Sequence, residues 1–144
     1  MKIVSSPFSF RGKSYLGKIY RPYLQVFLSS DKIDEWIPVE ILVDTGADYS
    51  LFPKRYADLL GIDLQKDCFY ETTYGVGGKE GIYLCKKDIK IKIGSFEKEI
   101  PGGFLERDEV PPLLGRLGCL EVLTLIMKNR TTILEAEMNR FNAK

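Results

Sequence analysis

The sequence predicts an all-β fold built from many short strands, on three observations. Apolar residues recur with a period of two in residues 37–43 and 89–93. β-Branched and aromatic residues gather in further short runs. Thirteen glycines and seven prolines break the chain often enough that only one or two short helices fit between them. Such a pattern buries its apolar faces by folding as a closed or sandwich-like barrel.

In chain order, Tyr23 to Ser29 is apolar and β-rich. Ile37, Val39, Ile41 and Val43 alternate with Pro38, Glu40 and Leu42, as a half-buried strand requires. Residues 53–60 fit a helix, with Tyr56, Leu59 and Leu60 at i, i+3, i+4 spacing, Pro53 near the start and Gly61 at the expected cap. Residues 68–74 and 82–85 are β-type runs flanking the glycine-dense stretch 75–81, which describes a hairpin with a mobile tip. Ile89, Ile91 and Ile93 alternate with charged residues as a second half-buried strand. A further turn or two of helix is expected over 117–122. Strands then follow at 122–127 and 131–134, joined by the turn Lys128-Asn129-Arg130. No linker, repeat or low-complexity tract divides the chain, so residues 1–144 read as one domain.

Composition removes several kinds of chemistry. The chain has no histidine, which excludes a Ser-His or Cys-His nucleophile pair, an imidazole base and a histidine-ligated metal within one chain. Twenty acidic and 21 basic residues give a net charge of +1, with the basic residues scattered. Neither nucleic acid nor an anionic membrane is therefore expected as the main partner. Cys68, Cys85 and Cys119 match neither a metal knuckle nor a disulfide framework and read as reduced thiols of a cytoplasmic protein. The first residues lack the apolar core of a signal peptide. The stretch 110–127 is interrupted by Pro111, Pro112, Arg116 and Glu121, so it does not span a membrane.

The informative segment is Ile41-Leu42-Val43-Asp44-Thr45-Gly46-Ala47-Asp48-Tyr49-Ser50. An acid ending an apolar strand is poorly solvated, and its charge needs hydrogen bonds or a partner. Gly46 lets backbone amides approach that carboxylate, and Thr45 adds a hydroxyl that can donate and accept. Downstream, Leu113-Leu114-Gly115-Arg116 supplies two apolar residues, a glycine and a cation that can pair with Asp48.

These segments, in this order and with the glycine hairpin between them, resemble the retropepsin-like aspartic peptidases, the single-lobe family that includes retroviral proteases. The resemblance covers most of residues 20–136. It implies a closed acid-protease-like barrel with a hairpin flap, and peptide hydrolysis by two carboxylates that share one proton across a bound water, without metal or cofactor. Like charges about 3 Å apart cannot both ionise cheaply, which divides the pair into an acid and a base. Only one Asp-Thr-Gly occurs in the chain, so Asp44 is expected to meet Asp44 of a second copy in a homodimer.

By the same resemblance, Asp44, Thr45 and Gly46 form the catalytic turn. Ala47, Asp48, Gly77 and Gly78 contact a peptide or protein substrate, and Val76 is either a further apolar contact or an exposed hairpin residue. Leu114, Gly115 and Arg116 support the turn. Interleaved terminal strands hold retroviral dimers, whereas here the last strands read as a hairpin followed by the polar tail 135–144, which argues against that mode. A non-catalytic peptide-binding or dimerisation module with the same fold is the alternative.

Overall fold

The computed structural model describes residues 1–75 and 77–137. Its strands in chain order are β1 (Lys2–Pro7), β2 (Ser9–Ser14), β3 (Gly17–Arg21), β4 (Tyr23–Ser29), β5 (Ile37–Val43) and β6 (Ser50–Phe52). After the helices α1 (Arg55–Leu59) and α2 (Leu64–Asp67) come β7 (Cys68–Gly75), β8 (Gly78–Cys85), β9 (Ile89–Ile93) and β10 (Phe96–Ile100). The chain continues with β11 (Gly102–Leu105), β12 (Leu113–Leu114), a 3-10 turn at Leu120–Val122, β13 (Thr124–Lys128) and β14 (Thr131–Glu135).

The all-β expectation holds, with two short helices and a hairpin. Nine strands pair in the order β10-β9-β4-β5-β12-β6-β11-β8-β7, beside a three-stranded sheet β1-β14-β13 and the separate ribbon β2-β3. The period-two pattern sets which face is inside. Val39, Ile41 and Val43 of β5 are buried while Pro38 and Glu40 are exposed, and Ile89, Ile91 and Ile93 of β9 are buried with the intervening lysines only half so. These side chains join Leu24, Val26 and Leu28 of β4 with Phe52, Phe104 and Leu114 in one core.

The helices depart from the sequence reading in detail. α1 is one turn over Arg55–Leu59. It buries Ala57 and, just beyond its end, Leu60, while Leu59 is half exposed, so the apolar stripe expected through Leu59 does not face the core. Gly61 follows with φ of +71°, the left-handed cap expected there. α2 went unpredicted although its signal is present: the Asp63 carboxylate accepts from the amides of Gln65 and Lys66 at 2.9 and 3.1 Å. The helix expected at 117–122 is a single 3-10 turn, because Gly118 at φ +67° breaks the run and the chain turns out into β13.

Residues 1–20, assigned no structure from sequence, form three strands. β1 pairs antiparallel with β14 of its own chain. The predicted hairpin at the end is β13–β14, with Asn129 and Arg130 both at positive φ in its turn. Val76 and most of the tail 135–144 lie outside the described residues.

Candidate active site

Asp44 is positioned by a strand crossing. β12 lies between β5 and β6, parallel to the first and antiparallel to the second, so that Leu113 faces both Leu42 and Leu51. The amide of Leu42 donates to Pro112 O at 2.9 Å and that of Asp44 to Leu114 O at 3.0 Å, while Val43 donates to Pro22 O at 3.0 Å. The backbone entering the turn is therefore fixed from both sides. Leu114 is fully buried beneath it.

The turn itself follows from Asp44. Its carboxylate, half-buried, accepts from the amide of Gly46 at 3.0 Å, and its carbonyl accepts from the amide of Ala47 at 3.2 Å. A Cβ at position 46 would stand 3.3 Å from the same carboxylate oxygen, tight enough to push against the bond. Thr45 and Gly46 are exposed at the crest, Ala47 is half-buried and Asp48 is exposed. The Thr45 hydroxyl makes no hydrogen bond among the described residues.

The segment after Leu114 grips the far side of the turn. Arg116 donates its amide to Ala47 O at 3.0 Å and its Nε to the same oxygen at 3.3 Å, and its guanidinium pairs with the Asp48 carboxylate as the sequence suggested. Leu117 N donates to Asp48 O at 2.8 Å. Gly115 packs where no side chain fits: a Cβ there would be 2.2 Å from Tyr49 O. Its amide donates to the Ser50 hydroxyl at 3.0 Å, and Ser50 is fully buried. Ser50 stood in the motif two residues after Asp48, but nothing in the sequence revealed which backbone group it would satisfy.

The glycine hairpin is β7–β8, whose last pair is Gly75 against Gly78. Gly78 has φ of +104°, and Gly75, Gly77 and Gly78 have open space where a Cβ would go. The hairpin overhangs an open cleft of about 630 Å³, lined by Gly77, Gly78 and Lys79 on one side and Leu51, Leu105, Val110 and Leu113 on another. Asp44 does not line this cleft. Leu113, whose strand abuts the Asp44 turn, does.

Sequence reasoning missed the wall between the hairpin and the loop after β11. There Arg107 bonds Glu80 through Nε–Oε1 and through a second nitrogen to Oε2, both at 3.1 Å, and the Tyr70 hydroxyl donates to Glu106. Among the described residues no three His, Cys, Asp or Glu side chains gather as a metal site would need.

The family profile described as aspartyl protease matches residues 32–116, more than half of the chain. The chain belongs to the aspartyl protease family. Its retropepsin-like fold is shared with a solved retropepsin-like aspartic protease from Rickettsia conorii, which is 22% identical with a TM-score of 0.60 over 90% of this chain and 96% of the other. The EIAV protease, solved in complex with the inhibitor HBY-793, aligns at 22% identity and a TM-score of 0.49 over 67% of this chain and 82% of its own. The comparison with curated protein sequences found no match. Within the aspartyl protease profile lie the Asp44 turn, the hairpin and the Leu114-Gly115-Arg116 segment, the three landmarks of the sequence reading.

Proposed function

We propose that this aspartyl protease family member is an active endopeptidase, residues 1–144 acting as one domain, that works in the cytoplasm as a homodimer with one Asp44 from each copy. The observation that carries the reading is the state of the single Asp-Thr-Gly turn. Its carboxylate is half-buried and held by the Gly46 amide at 3.0 Å, while Thr45 and Gly46 beside it stand exposed and unpacked. A turn braced from below and bare above is suited to meeting its own copy across a two-fold axis.

In that dimer the two Asp44 carboxylates share one proton. The ionised member takes a proton from water as its oxygen attacks the scissile carbonyl carbon, and the protonated member hydrogen-bonds the developing oxyanion. Collapse of the tetrahedral intermediate breaks the C–N bond, and the departing amine leaves with a proton from the dyad. Thr45 bonds across the axis, and Gly46, Ala47 and Asp48 meet the substrate, with Arg116 restraining Asp48. The peptide lies extended in the cleft as an added strand beneath Gly77 and Gly78, whose amides reach it directly or through water. Closure of the hairpin positions substrate and excludes water.

Incubation of the purified chain with a mixed peptide library between acidic and neutral pH tests this. Cleavage abolished by Asp44→Asn, with sedimentation still reporting a dimer, is the expected result. Cleavage unchanged in Asp44→Asn overturns the catalytic assignment. A dimer that binds peptides and never cleaves them establishes the alternative, a binding module of the same fold.

A further inference from the structure

The basic residues are scattered along the chain as a whole, but the acidic ones are not, and the net charge of +1 conceals a segregation at its start. Residues 1–30 contain five basic side chains and no acidic one, the first acid being Asp31, whereas residues 31–144 carry 16 basic and 20 acidic. Four of the five lie on the β2–β3 ribbon: Arg11, Lys13, Lys18 and Arg21. That ribbon forms a sheet of its own.

Its root is held firmly. Arg11 pairs with Glu40 and lies 3.8 Å over the Tyr23 ring, Arg130 lies 4.0 Å over Tyr20, and Phe8 N donates to Arg130 O at 2.7 Å. Its tip is also well formed, since the Ser14 hydroxyl donates to Gly17 O and accepts from Leu16 N. Yet Tyr15 is wholly exposed and Leu16 is 91% exposed, the most exposed large apolar side chains among the described residues.

Behind the tip, Lys13 sits directly opposite Lys18 in the ladder, and neither has an acidic partner among the described residues. Like charges opposed across two strands are destabilising. The next cross-strand pair on that face is aromatic, Phe10 against Tyr20, with Phe10 52% exposed. One face of the ribbon thus presents an apolar tip, then two lysines, then an aromatic pair.

We infer that this ribbon docks the protein on an anionic lipid surface, with Tyr15 and Leu16 entering the headgroup boundary and Lys13 and Lys18 facing lipid phosphates. A basic flank behind an apolar projection matches a surface that is negative outside and apolar beneath. Nucleic acid would satisfy the lysines and leave Leu16, which has no π face, in water. Ribbon-to-ribbon contact with a second copy across a two-fold axis would crowd four lysines together. The inference stands independently of the peptidase reading.

Flotation of the full chain with vesicles of phosphatidylcholine, alone or mixed with phosphatidylglycerol, tests it. Binding is expected only to the anionic vesicles, falling as salt is raised. Lys13→Gln and Lys18→Gln are expected each to weaken binding about fivefold, from roughly 1 kcal/mol per basic residue near such a surface. Leu16→Ser is expected to weaken it with unchanged circular dichroism and an unchanged sedimentation coefficient. No binding by the wild-type chain, or equal binding by all variants, overturns the inference. So does tighter, Lys13- and Lys18-dependent binding to a single-stranded oligonucleotide, or a shift of oligomeric state in Leu16→Ser, which would make the tip a clasp between copies.

Discussion

The amide of Gly115 donates to the Ser50 hydroxyl across 3.0 Å in a wholly buried position, joining the strand after the Asp44 turn to the loop beneath it. Removing the hydroxyl leaves a buried N–H unpaired, which costs about 1–3 kcal/mol. Ser50→Ala is therefore expected to lower the unfolding free energy by that amount, read as a lower denaturant midpoint with an unchanged slope, and Ser50→Thr to retain the bond while straining the packing around it.

Position 115 admits no side chain, whereas position 77 does. A Cβ at 115 would overlap Tyr49 O at 2.2 Å, and one at 77 meets nothing within 4 Å. Gly115→Ala is expected to destabilise the fold by about 1–3 kcal/mol or more through forced backbone displacement. Gly77→Ala should leave thermal unfolding unchanged and act, if the hairpin tip reaches substrate, on KM in the peptide assay.

The Arg116–Asp48 pair braces the turn at the surface, with the two side chains 50% and 70% exposed. Exposed pairs contribute about 0–1 kcal/mol, less in high salt. Asp48→Asn should therefore barely change stability. A loss of cleavage larger than that stability change would assign Asp48 to substrate contact.

Two groups contribute to pH stability at opposite ends of the scale. The hydrogen bond from Lys32, with the amide of Asp63, holds the Asp67 carboxyl below its ordinary value of 3.8. That contribution is complete above the ordinary value and is lost as pH falls through the lowered one, so Asp67→Asn should flatten the acid side of the stability curve.

At the alkaline end, burial pushes the Cys119 thiol up from 9.0 to about 12. Its neutral form is favoured in the fold, and that stability is complete below pH 9 and lost as pH rises toward 12. Native protein should resist alkylation of Cys119 at pH 8, read by mass spectrometry, and accept it once unfolded.

Much of this was legible in the chain. Strands β4, β5 and β9 follow from apolar alternation, a local property that survives any tertiary arrangement provided one face is buried. The Asp-Thr-Gly turn was legible because its chemistry needs particular residues in sequence: an acid, a hydroxyl and a residue without a Cβ. The helix ends were less so. Leu59 has helical spacing yet points outward, since one turn of helix cannot dictate which of its sides meets the core.

The sequence alone determined the strand-rich class, the single Asp-Thr-Gly and hence the need for two chains if its aspartate is to work as one of a pair. Tertiary structure decided what holds it. Leu114 O beneath the Asp44 amide, Ser50 beneath Gly115, Arg107 against Glu80 and β1 beside β14 join residues that lie 27 to 133 positions apart. No local pattern encodes such pairings, because each depends on which strand arrives next to which, and that is fixed only when the whole core is packed.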